Sequence, residues 1–338
     1  MSLTKERSFY LDNVKSVLIF FVVIGHFAEV AVSHSDIFKS LFLWLYTFHM
    51  PLFIFITGYL SKNLINNKER VLKKSFEYFT LYFFLKIFIF FTRYFAEGHK
   101  TFYILKESSV PWYLLAISIM ILASYFLRNI NPKVILVLSI ILALFAGYDK
   151  TVGDFLALSR TLVFFPFFYL GLICDEQHLN RIANNKKIAF IGLIIILITL
   201  LFTILNVDLV YNLRPLLTAR NSYKGLKAEL VMYGPLLRLL VYFIGSILSV
   251  SFLAVIPKCN LGYFSTIGKN TLQIYFYHRP ILWIIIGLGV DKWLQSTFGS
   301  FLGNVSWLAI SIALTLLLSL SVLGKPFKMW NNFLFNNN

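Results

Sequence analysis

Apolar stretches close to twenty residues long recur from one end of this chain to the other. A helix needs about 20 apolar residues to cross the roughly 30 Å hydrocarbon core of a bilayer. The composition agrees with that pattern, because 58% of the residues are hydrophobic and 14% are charged, whereas a soluble chain carries about 25% charged residues. The sequence therefore predicts an all-α polytopic membrane protein.

Hydropathy predicts about ten transmembrane helices in the 338 residues. The expected spans are 14–34, 38–60, 76–95, 111–127, 134–148, 159–173, 188–206, 236–256, 270–286 and 304–323. Lysine and arginine are enriched in the cytoplasmic loops of membrane proteins. With the N-terminus inside, the cytoplasmic connections hold sixteen such residues and the outer connections hold eight. Both termini are therefore predicted to be cytoplasmic, and residues 1–338 are expected to form one membrane domain with no appended soluble domain.

The net charge of +16 also invites a nucleic-acid interpretation, because basic surfaces bind phosphate backbones. The enrichment of basic residues in cytoplasmic loops explains the same charge, and the sequence contains no zinc-finger spacing, basic helix or RNA-binding signature. Metal-binding and nucleotide-hydrolysis motifs are absent as well. We therefore expect no nucleic-acid partner and no metal.

Titratable residues inside a membrane span are costly and are functional candidates by default. In the first span, Lys15 and His26 are eleven residues apart, which places them on one helix face about 16 Å apart along the axis. Glu29 follows His26 by three residues and can share its face. An ordinary interfacial lysine and a hydrogen-bonded core histidine are the alternatives.

The second span contains TFHMPLFIFITGYL, in which His49 is followed after one residue by Pro51. Proline has no N–H, so the carbonyl of Thr47 loses its helical partner. Such a break is tolerated in a membrane where protein or water satisfies the freed group. The pattern predicts a polar cavity beside His49, and a packing kink is the alternative.

Other polar residues fall within or at the ends of later spans. His278 lies in the middle of the ninth span and is followed by Arg279, and Arg160 begins the sixth span. A buried guanidinium stays charged and needs an anionic partner or a polar substrate. Lys86 lies near the middle of the third span, where a structural ion pair with an unidentified partner is one explanation. The long connection 207–235 is equally compatible with a binding loop and with a solvated linker.

Five motifs occur in the order found in the integral-membrane acyltransferase 3 family, and the chain resembles that family from about residue 7 to residue 325. The motifs are LDNVKSVLIFFVVIGH, FHMPLFIFITGYL, PWYLLA, SRTLVFFPFFYLG and IGKNTLQIYFYHRPIL. The family's first-span signature is a basic residue, ten others and a histidine, which Lys15 and His26 match. The basic residue is usually arginine, and the lysine form resembles the fucose O-acetylase-like branch.

The resemblance implies an O-acyltransferase of the bacterial cytoplasmic membrane. It would transfer an acetyl group from cytoplasmic acetyl-CoA to a hydroxyl of an extracytoplasmic or lipid-linked sugar, as in the O-acetylation of capsules and other cell-surface polysaccharides. A transporter or flippase of a lipid-linked saccharide is the alternative, because it also needs polar groups at mid-membrane. The acceptor sugar, the acyl chain and the oligomeric state are not predicted by the sequence.

Acyl transfer to a hydroxyl needs a base, and histidine is the commonest choice. The expected catalytic residues are His26 as base, Glu29 as its orienting carboxylate, and His49 as a second acid–base group or an oxyanion donor. Direct transfer and an acyl-histidine intermediate both remain open. The expected acetyl-CoA-binding residues are Lys15, Arg70, Lys73 and Lys74, and the expected acceptor-binding residues are Trp112, Arg160, His278 and Arg279.

Overall fold

The structure is a computed structural model and describes residues 8–98, 101–107 and 109–335. These residues form α-helices joined by turns, with no β-strand among them, and this confirms the predicted all-α class for the described part. The helices are α1 (Phe9–Ala31), α2 (Asp36–Leu60), α3 (Lys68–Glu97), α4 (Trp112–Leu127), α5 (Pro132–Phe145), α6 (Leu158–Ile173), α7 (Glu176–Asn184), α8 (Lys186–Leu205), α9 (Val207–Tyr211), α10 (Arg214–Leu217), α11 (Gly234–Val255), α12 (Tyr263–Lys269), α13 (Thr271–Gly287), α14 (Val290–Leu318) and α15 (Lys325–Phe335).

Each of the ten predicted spans overlaps one of these helices. Six of them are long and apolar enough to cross a bilayer, namely α1, α2, α3, α8, α11 and α14. The other four, α4, α5, α6 and α13, have only 14 to 17 residues. Helices α6 and α7 meet the criterion together but are bent by 94° at the break between them. The described residues therefore contain six candidate spans, or seven with the bent pair, and ten crossings remain a prediction.

The predicted position of both termini in the cytoplasm also remains a prediction. Residues 1–7 and 336–338 lie outside the described residues. We call the end of the bundle that holds the start of α1 and the end of α2 the proximal end. The opposite end, with the turn 32–35 between these two helices, is the distal end.

Helices α1 and α2 form the centre of the bundle, and α8 lies at its periphery. In the most apolar window of α2, 61% of the residues are buried, whereas in α8 the share is 11%. The outward residues of α8 are nevertheless large and apolar, for example Phe190, Leu197 and Leu205. A large exposed apolar surface indicates contact with lipid or with another apolar partner.

Two glycines allow α2 and α6 to approach closely. A methyl group added at Gly58 would overlap the backbone carbonyl of Phe168, and one added at Gly171 would overlap the carbonyl of Phe55. Small residues at helix contacts let backbones approach within membranes. This contact fixes the position of α6, which carries Arg160 in its first turn, relative to α2, which carries His49.

The proximal end is held by a buried polar residue of α1. The amide Nδ2 of Asn13 donates to the carbonyls of Pro257 and Cys259, each at 2.9 Å. The hydroxyl of Ser265 donates to its Oδ1 at 2.6 Å. All the polar atoms of this fully buried side chain therefore have partners, and α1 is tied to the segment that leads into α12.

Lys86 of α3 has the ion-pair partner that the sequence did not identify. Its Nζ lies 3.4 Å from Oε2 of Glu107 and donates to the carbonyls of Ile104 and Lys106, each at 2.9 Å. Burial raises the pKa of the Glu107 carboxyl above its ordinary value, while the ammonium of Lys86 acts in the opposite direction. Lys86 therefore anchors the connection between α3 and α4.

The long connection 206–233 folds back over the distal end. Arg220 makes a two-pronged ion pair with Asp154, with N–O distances of 2.8 and 2.9 Å. Lys39 of α2 binds Asp208 at 2.6 Å, and the hydroxyl of Tyr223 donates to the carbonyl of Leu144 at 2.7 Å. These contacts hold the segment in place above the ends of the central helices.

Candidate active site

A cavity of about 590 Å³ opens at the distal end between α1, α2, α6, α13 and the connection 206–233. We call it the distal cavity. Its lining includes six of the eleven residues that the sequence singled out, which are His26, Glu29, His49, Trp112, Arg160 and Arg279. Tyr46, Met50, Arg214, Arg220 and Lys227 also line it.

His26 and Glu29 form a pair on α1, one helical turn apart. The Nδ1 atom of His26 lies 3.3 Å from Oε2 of Glu29, as the spacing of three residues predicts. The same carboxylate oxygen lies 3.3 Å from Nη1 of Arg279 on α13. With the proton on Nδ1, His26 donates to the carboxylate and its Nε2 is left with a free lone pair. The arrangement suits a base whose orientation is fixed by an acid.

Two neighbouring aromatic rings enclose His26. Its ring stacks on the ring of His278 with centroids 5.3 Å apart and an angle of 27°. The hydroxyl of Tyr46 lies 3.4 Å from Nδ1 of His26. His278 is fully buried, does not itself line the distal cavity, and therefore supports His26 from behind.

His49 and His278 each hold one ring nitrogen against their own helix. The Nδ1 atom of His49 lies 2.6 Å from the carbonyl oxygen of Leu45, and that of His278 lies 3.1 Å from the carbonyl oxygen of Ile274. A carbonyl oxygen only accepts, so Nδ1 must carry the proton in both rings. In its neutral form each ring thus presents Nε2 as an acceptor, and His49 becomes a donor at that atom only when protonated.

The carbonyl that Pro51 frees does not face the cavity. A methyl group added at Gly245 of α11 would lie 2.6 Å from the oxygen of Thr47, so this oxygen is packed against a glycine. Pro51 lies inside a continuous α2, and His49 bonds to Leu45 instead of Thr47. The polar cavity beside His49 is present as predicted, but the freed carbonyl belongs to the contact between α2 and α11.

Arg160 enters the cavity from the start of α6. Its guanidinium lies over the ring of Trp112, 5.0 Å from the centroid, and that ring stacks on Phe164. The residue is 7% exposed, and its Nη1 has no hydrogen-bond partner among the described residues. A buried donor of this kind can bind a substrate oxygen, as the sequence interpretation of Arg160 required.

Two further cavities follow the distal one along α1 and α2 toward the proximal end. The middle cavity, of about 340 Å³, shares Met50 with the distal cavity. The proximal cavity, of about 620 Å³, shares Lys15 and Leu60 with the middle one. A row of cavities therefore follows α1 from one end of the bundle to the other.

The predicted acetyl-CoA-binding residues lie at the proximal end, apart from the histidines. Lys15 binds Asp12 at 2.9 Å and lines the middle and proximal cavities. Lys74 binds Glu77 at 2.7 Å and lines the middle cavity.

The other two residues of this predicted set line none of the three cavities. Lys73 binds Glu69 at 2.8 Å, and Arg70 is exposed on the first turn of α3. The ion pairs on Lys15, Lys73 and Lys74 mean that three of the four predicted cations are already matched by carboxylates.

Sequence reasoning missed several residues of the distal cavity. Tyr46 lies one turn before His49 on α2, and this spacing of three residues was the signal that could have identified it. Arg214 and Lys227 lie in the connection 206–233, where no motif marks them. Only the folding of that segment over the distal end brings them to the cavity.

Comparison with known proteins identifies the family of the chain and a short match to an individual protein. The sequence profile of an acyltransferase domain, Acyl_transf_3, matches residues 8–324. A stretch of 73 residues is 38% identical to the nodulation protein NolL of Mesorhizobium japonicum and covers 20% of this chain and 18% of that protein. No solved structure matches the chain.

Proposed function

The chain belongs to the acyltransferase 3 family, and from this premise we propose that it transfers an acetyl group from acetyl-CoA to a sugar hydroxyl across the bacterial cytoplasmic membrane. The acceptor is an extracytoplasmic or lipid-linked sugar, such as a unit of a capsule or another cell-surface polysaccharide. The proximal end faces the cytoplasm, and the distal cavity faces outward. The family membership favours this enzyme over a transporter of lipid-linked saccharides.

The observation that carries the proposal is the pair formed by His26 and Glu29 in the distal cavity, at the end of a row of cavities that begins at the proximal end. A cytoplasmic thioester and an outer hydroxyl approach the membrane from opposite sides. The row of cavities supports a route along which the acyl arm reaches the histidine, and the distal opening supports entry of the acceptor.

The step needs one base and one stabilising group. Nε2 of His26 removes the proton of the acceptor hydroxyl, and the hydroxyl oxygen bonds to the acetyl carbonyl carbon. The carbon–sulfur bond of the thioester then breaks, and the proton on His26 passes to the departing thiolate to give the free thiol of CoA. General acid–base catalysis of this kind contributes about 10²- to 10⁴-fold to the rate.

A donor beside His26 supports the developing oxyanion. The hydroxyl of Tyr46 lies 3.4 Å from Nδ1 of His26 and lines the same cavity. A preorganised donor aimed at the developing charge stabilises it without reorganisation. His49, whose neutral ring presents Nε2 as an acceptor, suits a second acid–base role better than the role of oxyanion donor.

The experiment compares the surface glycan of cells that make wild-type protein, His26→Ala protein, His34→Ala protein or no protein. His34 is exposed in the turn between α1 and α2 and is the matched control. Ester-linked acetate, scored by NMR, is expected with the wild-type and His34→Ala proteins and to fall at least about 100-fold with His26→Ala. Undiminished acetate with a normally inserted His26→Ala protein would exclude His26 as the base.

The same cells separate the enzyme from a transporter. If the chain transports a lipid-linked saccharide, its deletion blocks export of the glycan, while acetylation of chains already present continues. If it is the acetyltransferase, deletion removes the acetate and leaves the amount of exported glycan unchanged. Glycan amount and acetate content are therefore measured on the same samples.

A further inference from the structure

The charges that line the distal cavity are strongly unequal. Four arginines and one lysine line it, and Glu29 is the one carboxylate among its described lining residues. The cations are Arg160, Arg214, Arg220, Lys227 and Arg279. A cavity lined by one sign of charge concentrates ligands of the opposite sign.

Two of these cations are neutralised by the protein itself. Arg279 lies 3.3 Å from the carboxylate of Glu29, and Arg220 makes a two-pronged pair with Asp154. Within the described residues, Arg160, Arg214 and Lys227 have no carboxylate within ion-pair distance. Three positive charges at the cavity therefore remain without an anion.

Arg160 is the most deeply buried of these three cations. It is 7% exposed, and the face of its guanidinium rests on Trp112. A buried charge without a partner is strongly destabilising, and Nη1 of Arg160 has no hydrogen-bond partner within the described part of the chain. An anion bound in the cavity would remove that cost.

Arg214 approaches the same cavity from the connection 206–233. Its guanidinium lies over Phe42 and Tyr211, 5.4 and 5.5 Å from the ring centroids, and its Nη1 donates to the hydroxyl of Tyr211 at 2.9 Å. These contacts hold the side chain without neutralising it. Lys227 adds a third, exposed charge at the rim.

The proximal cavity shows that this imbalance is not general in the molecule. Lys15 and Lys62 line it together with Asp12 and Glu176, so its formal charges balance. In the middle cavity, Lys15 and Lys74 are paired with carboxylates. Of the three cavities, the distal one is therefore the one whose described lining holds cations without an anionic partner.

We propose that the acceptor carries an anionic group next to the hydroxyl that is acetylated, and that Arg160 and Arg214 bind this group. The inference rests on the proposed function and names the class of its acceptor. An arginine binds a carboxylate or a phosphate through two parallel hydrogen bonds, so the anion is the carboxylate of an acidic sugar or the diphosphate of a lipid-linked sugar. A neutral sugar would leave Arg160 and Arg214 unpaired.

The first experiment measures binding without catalysis, on the full chain in lipid nanodiscs. The sugar probes are methyl β-D-glucuronide and methyl β-D-glucoside, which differ only by carboxylate against hydroxymethyl. The lipid probes are farnesyl diphosphate and farnesol. We expect the anionic probe of one pair to bind about tenfold tighter than its neutral partner, as one charge-assisted hydrogen bond provides.

Two variants test whether the distal cavity is the source of the preference for the anionic probe. Arg160→Gln and, as a second variant in case the first fails to fold, Arg214→Gln are expected to abolish the preference. The matched control is Arg128→Gln, because Arg128 also lies over an aromatic ring but is exposed and lines none of the three cavities. A preference for the glucuronide identifies a carboxylate, and a preference for farnesyl diphosphate identifies a lipid-linked phosphate.

The proposal is overturned if neither anion is preferred, or if the preference survives both Arg160→Gln and Arg214→Gln. A second assay follows transfer of labelled acetate from acetyl-CoA to the two sugar probes. Equal loss of transfer to both sugars in Arg160→Gln, with binding unchanged, would assign Arg160 to the transition state and also overturn the proposal.

Failure of the proposed function has a different signature. If the variants show arginine-dependent anion binding but no acceptor is acetylated by wild-type protein, the anion site stands and the transferase assignment fails. If acetylation depends on His26 but shows no preference for an anionic acceptor, the transferase stands and the acceptor class proposed here is wrong.

Discussion

His49 and His278 use the same ring atom in the same way, each against the carbonyl four residues earlier on its own helix. Neither ring has a choice of tautomer as long as this bond holds, because the carbonyl oxygen cannot donate. The chemistry of both side chains is therefore set by the backbone of α2 and α13. His26 differs, since a carboxylate and not a carbonyl faces its Nδ1.

We predict that His49 and His278 carry their proton on Nδ1 in the neutral state. Nitrogen-15 NMR of protein labelled at histidine distinguishes the two ring nitrogens directly. Signals of protonated Nδ1 and unprotonated Nε2 are expected for both residues. The single variants His49→Gln and His278→Gln assign the signals.

The reference for this measurement is His34, which is exposed and has no ring hydrogen bond within the described part of the chain. If His49 and His278 gave spectra with the proton on Nε2, the bonds to Leu45 and Ile274 would be absent in the protein. His49 would then be a neutral donor, and its role as a donor to the oxyanion would regain support.

The residues of the site were predictable to the extent that one helix brings them together. His26 and Glu29 are three apart on α1, and this spacing alone predicts their contact. The stacking of His278 on His26 depends on how α13 packs against α1. The partner of Lys86 is a loop residue, Glu107. Neither contact has a periodic signal in the sequence.

At the scale of helices, the contact between α2 and α6 determines where Arg160 lies relative to His49. We predict that Gly58→Ala or Gly171→Ala destabilises the protein by about 1–3 kcal/mol, the usual cost of overpacking. In each case the new methyl group meets a backbone carbonyl, which cannot rotate away as a side chain can. Thermal unfolding in detergent measures the effect as a lowered midpoint.

The control is Gly25→Ala on α1, where a methyl group would lie 3.4 Å from a ring atom of Tyr46, an ordinary contact. Its unfolding midpoint is expected to stay close to that of the wild-type protein. A lowered midpoint in Gly25→Ala and an unchanged one in Gly58→Ala would contradict the close approach of α2 and α6.

Hydropathy located the helices well because burial in lipid demands long apolar runs. It was less informative for α4, α5, α6 and α13, which have 14 to 17 residues and are shorter than a span. It also did not distinguish a binding loop from a solvated linker in the connection 207–235. That segment forms α9, α10 and turns held by Asp154, Lys39 and Leu144, and these are tertiary contacts between parts of the chain far apart in sequence.

At the scale of the whole molecule, three cavities follow one another along α1 and α2. The proposed function requires the donor to enter at one end of this row and the acceptor at the other. The acetyl group must therefore pass the point where the middle and distal cavities meet. Met50 lines both cavities at that point, directly after His49 in the sequence.

We predict that enlarging Met50 blocks transfer in proportion to the size of the new side chain. Methionine is flexible and adapts its shape to its surroundings, whereas tryptophan is larger and rigid. Transfer from acetyl-CoA is expected to fall in the order Met50, Met50→Phe, Met50→Trp, by about tenfold or more for tryptophan, while acetyl-CoA still binds at the proximal end.

Met232→Trp is the matched control, because Met232 is 73% exposed and lines none of the three cavities. Wild-type transfer by Met50→Trp would mean that the acetyl group reaches His26 by another route, and loss of acetyl-CoA binding would place the donor itself against Met50.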